Sequence, residues 1–269
     1  MKRLFCVLLA CLLLCGCSVS VQELSHDLDN KDIMLDSDIL QTTGPTLPEN
    51  PYGPLDFGFE GDYLSCFAGE SMLGIDVSYW QGQIDWQQVK DAGIEYAILR
   101  IGQRGSEQGV IAEDQMVRQY YQEASAVGLK LGGYFFSQAI SVEEAIEEAE
   151  FVLEIIEGWN LEMPIVYDWE YYSDTARTAN MDARTLTDCT IAFCETIKAA
   201  GYTPMVYFNR EQALNLVYLT ELTDYRFWLA MYDSSMTYES KIDMWQYTCT
   251  GSVPGITGDV DLNLYFIYE

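Results

Sequence analysis

The sequence is poor in histidine. Its 269 residues include a single one, His26, in a polar stretch that precedes any regular pattern. A Ser-His-Asp or Cys-His catalytic site is therefore nearly excluded, and so is a zinc site built on several imidazoles. Acid–base chemistry in this chain must come from carboxylates, tyrosine, lysine or cysteine.

Basic residues are also scarce. The chain has 14 Lys and Arg against 42 Asp and Glu, a formal net charge of −28. Nucleic-acid binding depends on basic side chains that neutralise phosphates, so we expect no nucleic-acid partner. Peripheral binding to anionic lipid is disfavoured for the same reason. Most of the acidic residues are best interpreted as a solvated surface.

A hydrophobic run long enough to cross a membrane is missing as well. The apolar stretch Leu4–Leu14 follows Lys2 and Arg3 and is too short for a comfortable transmembrane helix, which is typical of an export signal. It closes with the letters LCGC, which resemble a bacterial lipobox. This predicts a signal peptide over residues 1–16, lipidation of Cys17, and anchoring at the extracellular face of the bacterial cell membrane. The alternative is an ordinary secretory signal cleaved nearby.

No CxxC pair occurs outside this signal. The cysteines that remain in an exported chain are even in number, so disulfides are possible, and buried free thiols are the equal alternative. The spacing does not indicate a metal site, and we expect none. These cysteines are Cys66, Cys189, Cys194 and Cys249.

Residues 17–61 differ in composition from the rest of the chain. They are acidic and rich in Ser, Thr, Pro and Gly, as in TTGPTLPENPYGPLDFGFEG, without a sustained hydrophobic period. This composition predicts a flexible tether. Residues 62–269 are then the folded domain, which we expect to be monomeric.

From Met72 onward, short β-prone runs alternate with helical ones. Eight strand candidates follow, and the first five are each paired with a helical segment, of which the one beginning SVEEAIEEAE has a capping box at Ser141 and Glu144. This order predicts a mostly parallel sheet closed into a single α/β barrel of the TIM type, irregular because late helices are missing. The strand candidates are MLGIDVSYW, EYAILRIG, KLGGYFFSQA, MPIVYDWEYY, TPMVYFN, RFWLAMYD, KIDMWQYT and DVDLNLYFIYE.

Four acids fall near the predicted rim of the barrel. Asp76 ends the first strand, Asp168 and Glu170 end the fourth, and Asp261 lies in the last. Since side chains at i and i+2 of a strand share a face, Asp168 and Glu170 project together into the barrel mouth if Trp169 faces outward. Crowded carboxylates raise one another's pKa, which leaves a proton donor beside an anion at neutral pH. That pair suits glycoside hydrolysis.

Other uses of the acids remain open at this point. Acid clusters at a barrel mouth also bind Mg²⁺ or Ca²⁺, and a purely structural cluster would pair its acids with Arg100. Aromatic side chains at the rim offer faces for stacking on sugar rings, although most tyrosine and tryptophan on strands belongs to the core. The candidate substrate contacts beside Asp76 and Asp261 are Tyr134, Tyr207, Trp228, Tyr232 and Trp245, with Asn209 and Gln246 near the same rim.

Six blocks of the sequence resemble a known family. GIDVSYWQGQIDW, DWE, GYTPMVYFN, FWLAMYD, MWQYT and DVDLN occur in the order found in glycoside hydrolase family 25, the Chalaropsis-type lysozymes. The resemblance runs from about Leu73 to the C-terminus. It implies a flattened, irregular α/β barrel and a retaining N-acetylmuramidase that cleaves the β-1,4 bond between N-acetylmuramic acid and N-acetylglucosamine in peptidoglycan. No cofactor is implied.

The same resemblance assigns roles to the acids. Glu170 matches the family's general acid/base, and Asp168 matches the acid that acts as nucleophile or stabilises an intermediate formed by the substrate's own N-acetyl group. Asp76 and Asp261 match acids that line the cleft. Because Asp168 and Glu170 are neighbours on one strand, we prefer substrate assistance over a covalent bond to Asp168. The alternative function is a cell-surface lipoprotein that binds glycans without turning them over.

Overall fold

The computed structural model describes residues 46–268. This part of the chain forms one compact unit of strands and helices. The strands are β1 (Phe57–Glu60), β2 (Tyr63–Cys66), β3 (Glu70–Val77), β4 (Tyr96–Arg104), β5 (Ile111–Glu113), β6 (Lys130–Ser137), β7 (Ile165–Trp169), β8 (Pro204–Asn209), β9 (Arg226–Ala230), β10 (Met244–Gly251) and β11 (Val260–Ile267). The α-helices are α1 (Trp86–Asp91), α2 (Val117–Ala126), α3 (Val142–Ile155), α4 (Ala183–Ala199) and α5 (Arg210–Asn215).

Eight strands close into a barrel in the order β3-β11-β10-β9-β8-β7-β6-β4, and β4 pairs with β3 to complete the ring. All neighbours are parallel except β11, which runs antiparallel to both β10 and β3. These are the eight predicted strands, so the predicted α/β barrel is confirmed. The short strand β5, which pairs antiparallel with the end of β4, was not predicted.

Side chains of the barrel strands alternate between two apolar layers, as the period of two requires. One layer fills the barrel and includes Tyr96, Val166 and Met244. The other lies between the sheet and the helices. Inside the barrel, Gly74 allows the Tyr96 ring to approach, because a Cβ at Gly74 would lie 2.2 Å from that ring.

Several helices begin at a side chain that caps the first free backbone N–H groups. Asp85, Ser141, Asp182 and Asn209 each accept a bond from the backbone N–H three residues later. The predicted capping box of α3 forms only in part: the carboxylate of Glu144 accepts from the N–H of Ile140 and also binds Arg177 rather than closing back on Ser141.

The predicted domain boundary at residue 61 needs correction. Residues 46–61 pack on the barrel: Glu49 forms a β-bridge with Ser240, and Phe57 is buried with its ring 5.1 Å from that of Trp245. Aromatic anchors spaced irregularly among prolines and glycines gave no periodic signal, although they bury apolar surface. The rest of the predicted tether, residues 17–45, lies outside the described residues, as do the predicted signal peptide and Cys17.

Of the cysteines in the described residues, Cys66, Cys189 and Cys194 are free thiols. Cys189 and Cys194 are fully buried on α4. Burial raises the pKa of the Cys189 thiol to about 12, so both thiols behave as small apolar groups at neutral pH. Among residues 46–268, no helix combines the length and the apolar character that a membrane span needs.

Candidate active site

The barrel brings three strand ends with acidic residues to one rim. Asp76 lies at the carboxyl end of β3, Asp168 at that of β7, and Glu170 directly follows β7. β11 runs the opposite way, so its first residues reach the same rim, and Asp261 is the register partner of Asp76. The structure therefore places all four predicted acids around the mouth of the barrel.

Asp168 points into the barrel and is buried. The neighbouring side chains Tyr167 and Trp169 belong to the outer layer between sheet and helices, so Trp169 faces outward as the alternation requires. Asp168 is 5% exposed, and its Oδ1 has no hydrogen-bond partner among the described residues. A buried acceptor without a donor is costly. This oxygen is available to a group that a ligand brings.

Asp76 is the hydrogen-bonded member of the cluster. Its Oδ2 accepts from Gln246 Nε2 at 2.9 Å and from Asn263 Nδ2 at 2.8 Å. Asn263 in turn accepts from Trp228 Nε1 at 2.9 Å, and the Tyr232 hydroxyl donates to Gln246 Oε1 at 3.1 Å. This network fixes the Asp76 carboxylate and partly offsets the cost of burying it.

Burial raises the pKa of every acid at the rim. For Glu170 burial comes first and the Asp76 charge second, and together they raise its pKa to about 7. Burial raises the pKa of Asp76 to about 6, although the hydrogen bonds from Asn263 and Gln246 favour the charged form and lower it. Burial, then Glu170 and Asp76, raise the pKa of Asp168 well above its usual range. The cluster thus shares protons near neutral pH, as a donor beside a carboxylate requires.

Arg100 brings a positive charge to the edge of this cluster. Its guanidinium pairs with the buried carboxylate of Asp114 at 2.8 Å and lies 4.9 Å from the Tyr79 ring centre. The rim acids are therefore not bound in ion pairs with Arg100, which was the structural alternative. Its charge still acts on Asp168, whose pKa it lowers against the larger effect of burial.

The structure separates the five predicted aromatic contacts into three tyrosines near the mouth, one tryptophan inside the barrel and one tryptophan outside it. Tyr232 is exposed, Tyr134 is half-buried and Tyr207 is 8% exposed, and the Tyr207 hydroxyl is 3.4 Å from Gln246 Oε1. Trp228 is buried inside the barrel, where its ring lies 5.0 Å from that of Tyr207. Trp228 therefore supports the site through Tyr207 and Asn263 and is not exposed to a substrate.

Trp245 does not lie in the cleft. Its neighbours Met244 and Gln246 point into the barrel, so Trp245 points outward, where it is fully buried and donates to the Met231 carbonyl at 2.7 Å. Consecutive strand residues face opposite sides, so Trp245 and Gln246 cannot share the site. The prediction of Trp245 as a substrate contact does not fit this structure. Asn209 likewise serves as the cap of α5.

Residues 75–256 match the model of the family described as Glycosyl hydrolases family 25. The chain belongs to this family. The matched segment holds Asp76, Asp168 and Glu170 and ends before Asp261. The family 25 assignment, the barrel and the shared rim of acids agree with one another.

Two lysozymes and one solved autolysin are similar to this family 25 chain. Lysozyme M1 of Streptomyces globisporus is 27% identical over 71% of this chain and 67% of its own length. The autolytic lysozyme of Clostridium acetobutylicum is 26% identical over 71% and 55%. The modular autolysin LytC of Streptococcus pneumoniae, solved with a synthetic peptidoglycan ligand, is 27% identical with a TM-score of 0.65, over 73% and 47%. The chain thus spans about half of the latter two proteins.

Several residues of the family 25 site escaped the sequence analysis. Asn263 contacts Asp76 between the neighbouring strands β11 and β3. Arg100 on β4 pairs with Asp114, which directly follows β5. No local pattern reveals either contact. Three exposed aromatic residues are different, because two of them directly follow Glu170 and the third lies four positions after Asp76, so position alone could have found them. They are Trp80, Tyr171 and Tyr172.

The sequence also allowed the rim acids to bind Mg²⁺ or Ca²⁺. Within residues 46–268, no group of three or more His, Cys, Asp or Glu side chains is arranged to hold a metal ion.

The raised pKa values predict that the family 25 domain loses stability as pH rises. Glu170 and Asp76, with pKa values of about 7 and about 6 in the folded chain, bind protons more tightly there than in the unfolded chain, where the pKa of such carboxyls is about 4. Their stabilising contribution is therefore complete below pH 4 and is lost as pH rises through 6 and 7. We expect a lower thermal midpoint at pH 8 than at pH 5, measured by calorimetry.

A charge-matched pair of variants isolates the contribution of the site. Glu170→Gln should reduce the drop between pH 5 and pH 8, whereas Glu157→Gln removes an exposed carboxyl just beyond the end of α3 and should leave the drop unchanged. Equal drops in the two variants would contradict the assignment of this pH dependence to Glu170.

Proposed function

We propose that the chain is a lysozyme, an N-acetylmuramidase that hydrolyses the β-1,4 bond between N-acetylmuramic acid and N-acetylglucosamine in peptidoglycan. The observation that carries the proposal is the pairing of a half-buried Glu170, whose pKa is raised to about 7, with a buried Asp168 that has an unpartnered oxygen. Similarity to two lysozymes and to an autolysin solved with a peptidoglycan ligand supports the choice of substrate.

Glu170 suits the role of general acid and then general base. A carboxyl with a pKa near the working pH is protonated often enough to donate to the leaving glycosidic oxygen. After the leaving sugar departs, the resulting carboxylate takes a proton from the attacking water. The same group thus serves both steps. The anomeric configuration is retained because the acetamido oxygen first bonds to the anomeric carbon as the leaving sugar departs, and water then displaces that oxygen from the opposite face, so the carbon inverts twice.

Asp168 suits the role of a partner for the substrate's acetamido group. Its unpartnered Oδ1 can accept the acetamido N–H, which directs the acetamido oxygen toward the anomeric carbon as the glycosidic bond breaks. Asp168 and Glu170 project from adjacent inward positions of one strand end, whereas a nucleophile and an acid normally flank the bond from two sides. This placement favours substrate assistance over a covalent bond between sugar and Asp168.

Asp76 and Asp261 complete the cleft in this proposal. Asp76 is fixed by Gln246 and Asn263, and its charge contributes to the raised pKa of Glu170. Asp261 faces Asp76 in register. We assign to both the positioning of substrate hydroxyls and the adjustment of the proton affinity of Glu170, with Tyr134, Tyr207 and Tyr232 supplying the aromatic walls.

Analysis of reducing ends tests the activity and the bond together. Purified peptidoglycan is digested with the enzyme, reduced with borohydride and hydrolysed, and the new reduced sugar is identified. Muramitol is expected. Reduced glucosamine would mean cleavage of the other glycosidic bond, and binding to peptidoglycan without any release would favour the non-catalytic glycan-binding protein.

We further propose that Cys17 is lipidated and holds the domain at the extracellular face of the membrane, where it meets peptidoglycan. The support is the LCGC sequence after a short apolar run that follows Lys2 and Arg3. Cys17→Ala should release the protein into the medium, measured by immunoblot of membrane and medium fractions, because a single lost lipid anchor removes the main apolar attachment. Cys6→Ala in the same apolar run is the matched control, and membrane retention of Cys17→Ala would refute the lipobox.

A further inference from the structure

Glu170 lies just beyond the support of the sheet. The last register pair between β6 and β7 is Ser137 with Trp169, and the last between β7 and β8 is Asp168 with Tyr207. Past these pairs the backbone of β7 has no neighbouring strand to hold it. The peptide groups that carry Glu170 therefore need other partners to keep a fixed position.

Two buried glutamines supply those partners. Gln212 Nε2 donates to the backbone carbonyl of Trp169 at 2.7 Å, and Gln138 Nε2 donates to the backbone carbonyl of Glu170 at 2.9 Å. Gln138 directly follows β6, and Gln212 lies in α5 directly after β8. The segments that follow the two strands flanking β7 thus each provide one side-chain amide, and these amides bond the peptide carbonyls before and after the Glu170 side chain.

The orientation of each amide is fixed by a bond to its oxygen. Gln138 Oε1 accepts from the Thr178 hydroxyl at 2.8 Å, and Gln212 Oε1 accepts from the backbone N–H of Asn209 at 2.8 Å. Their exposed fractions are 0% and 3%. Since both oxygens are occupied and both side chains are buried, the NH₂ groups are directed at the carbonyls and have no room to turn to water.

We propose that Gln138 and Gln212 are positioning residues that hold the Glu170 carboxyl at the scissile bond. The inference rests on the proposed function of Glu170 as general acid/base. A catalytic group must stay within hydrogen-bond reach of the atom it protonates, and a misplacement of about 1 Å from a change outside the reacting atoms can cost on the order of 100-fold in rate. The glutamines bond the backbone carbonyls of Trp169 and Glu170 and touch no reacting atom.

The test replaces each glutamine by methionine, which keeps the length of the side chain and removes the donor. For Gln138→Met and Gln212→Met we expect kcat on solubilised peptidoglycan to fall by about 10- to 100-fold, with KM changed by less than about threefold, since the cleft walls that bind the glycan are untouched. The fall in log kcat of the double variant should not exceed the sum of the falls in the two single variants, because both glutamines act through Glu170.

A matched control separates positioning from general loss of stability. Thr187 is buried on α4, where its hydroxyl donates to the Ala183 carbonyl at 2.7 Å and accepts from the Tyr218 N–H at 3.0 Å. Thr187→Val therefore removes two buried hydrogen bonds that do not involve the backbone around Glu170. We expect it to lower the thermal midpoint as the methionine variants do while kcat stays at the wild-type value. Wild-type kcat in both folded glutamine variants would overturn the proposal.

A second substitution covers the case in which methionine prevents folding. Gln212→Asn and Gln138→Asn keep a neutral amide, but each side chain is one CH₂ shorter, so its NH₂ group no longer reaches the carbonyl of Trp169 or of Glu170. Reduced kcat in either supports positioning, and wild-type kcat in both refutes it.

A readout that needs no turnover separates this inference from the proposed function. Carbon-13 NMR follows the titration of the Glu170 carboxyl in wild type and in the variants. Its pKa should fall toward the ordinary glutamate value in the variants, because a released carboxyl becomes less buried. If the wild-type enzyme releases no muramic acid reducing ends but the pKa of Glu170 falls in the variants, only the proposed reaction is refuted. If wild type is active and neither kcat nor the titration moves, only the positioning role fails.

Discussion

Glu170→Gln is expected to lower kcat on peptidoglycan by about 10³-fold, within the range of about 10² to 10⁴ that general acid–base catalysis supplies. Glutamine has nearly the same shape but carries no transferable proton, so the leaving oxygen departs unprotonated and the attacking water lacks a base. The fold should persist, because the substitution removes a carboxyl whose charged form is disfavoured by burial. Release of soluble muropeptides, quantified by chromatography, measures the loss.

The same variant should be more stable than wild type above pH 7. At that pH the wild-type carboxyl is ionised in a partly buried place beside Asp76, whereas the amide is neutral. Higher stability together with lost activity identifies a site whose charges are maintained for function at a cost in stability. Wild-type kcat in Glu170→Gln would remove Glu170 from the role of acid.

Asp168→Asn is expected to lower kcat by about 10²-fold, less than Glu170→Gln, since electrostatic groups at a developing charge contribute on the order of 10² to 10³. The amide can still accept the acetamido N–H through its oxygen, but it no longer offers a negative charge to the positive charge that develops on the sugar and its acetamido group. The residual activity should therefore retain the configuration and the bond specificity of wild type. Initial rates with soluble peptidoglycan fragments measure the effect.

Asp182→Asn is the matched control, because asparagine caps a helix as well as aspartate does and Asp182 caps α4. It should keep wild-type kcat. If Asp168→Asn loses no more activity than this control, Asp168 has no part in the chemistry. Mass spectrometry of the quenched enzyme addresses the intermediate: a glycosyl adduct on Asp168 would replace substrate assistance by a covalent mechanism.

The barrel was predictable because its signals are local. Each strand carries a run of β-prone residues, and the helices between them have polar caps and apolar faces. The order of strands and helices can therefore be predicted from local sequence patterns. The rim position of Asp168 and Glu170 followed from the period of two in MPIVYDWEYY, with Trp169 outward. The same rule, applied to Trp245 and Gln246, would have shown that only one of them reaches the cleft.

What sequence reasoning missed depends on contacts between distant residues. Gln138 and Glu170 are 32 positions apart, and Gln212 and Trp169 are 43 apart, so neither bond leaves a local pattern. Asn263 lies in the quoted DVDLN block, yet its link to Asp76 exists only because β11 closes the ring against β3. Glutamine and asparagine on strand ends carry no signal of burial by themselves.

The packing of residues 46–61 decides where this protein can be cut or joined to another. Tyr52 lies with its ring 5.1 Å from that of Phe266 on the last strand, and Phe57 covers Trp245. Shortening the chain to residue 62, where the composition changes, would strip both rings and leave a tryptophan and a phenylalanine of the outer layer facing water. A tag or fusion partner therefore belongs before Thr46, because residues 46–61, although their composition is that of a spacer, cover part of the outer face of β10 and β11.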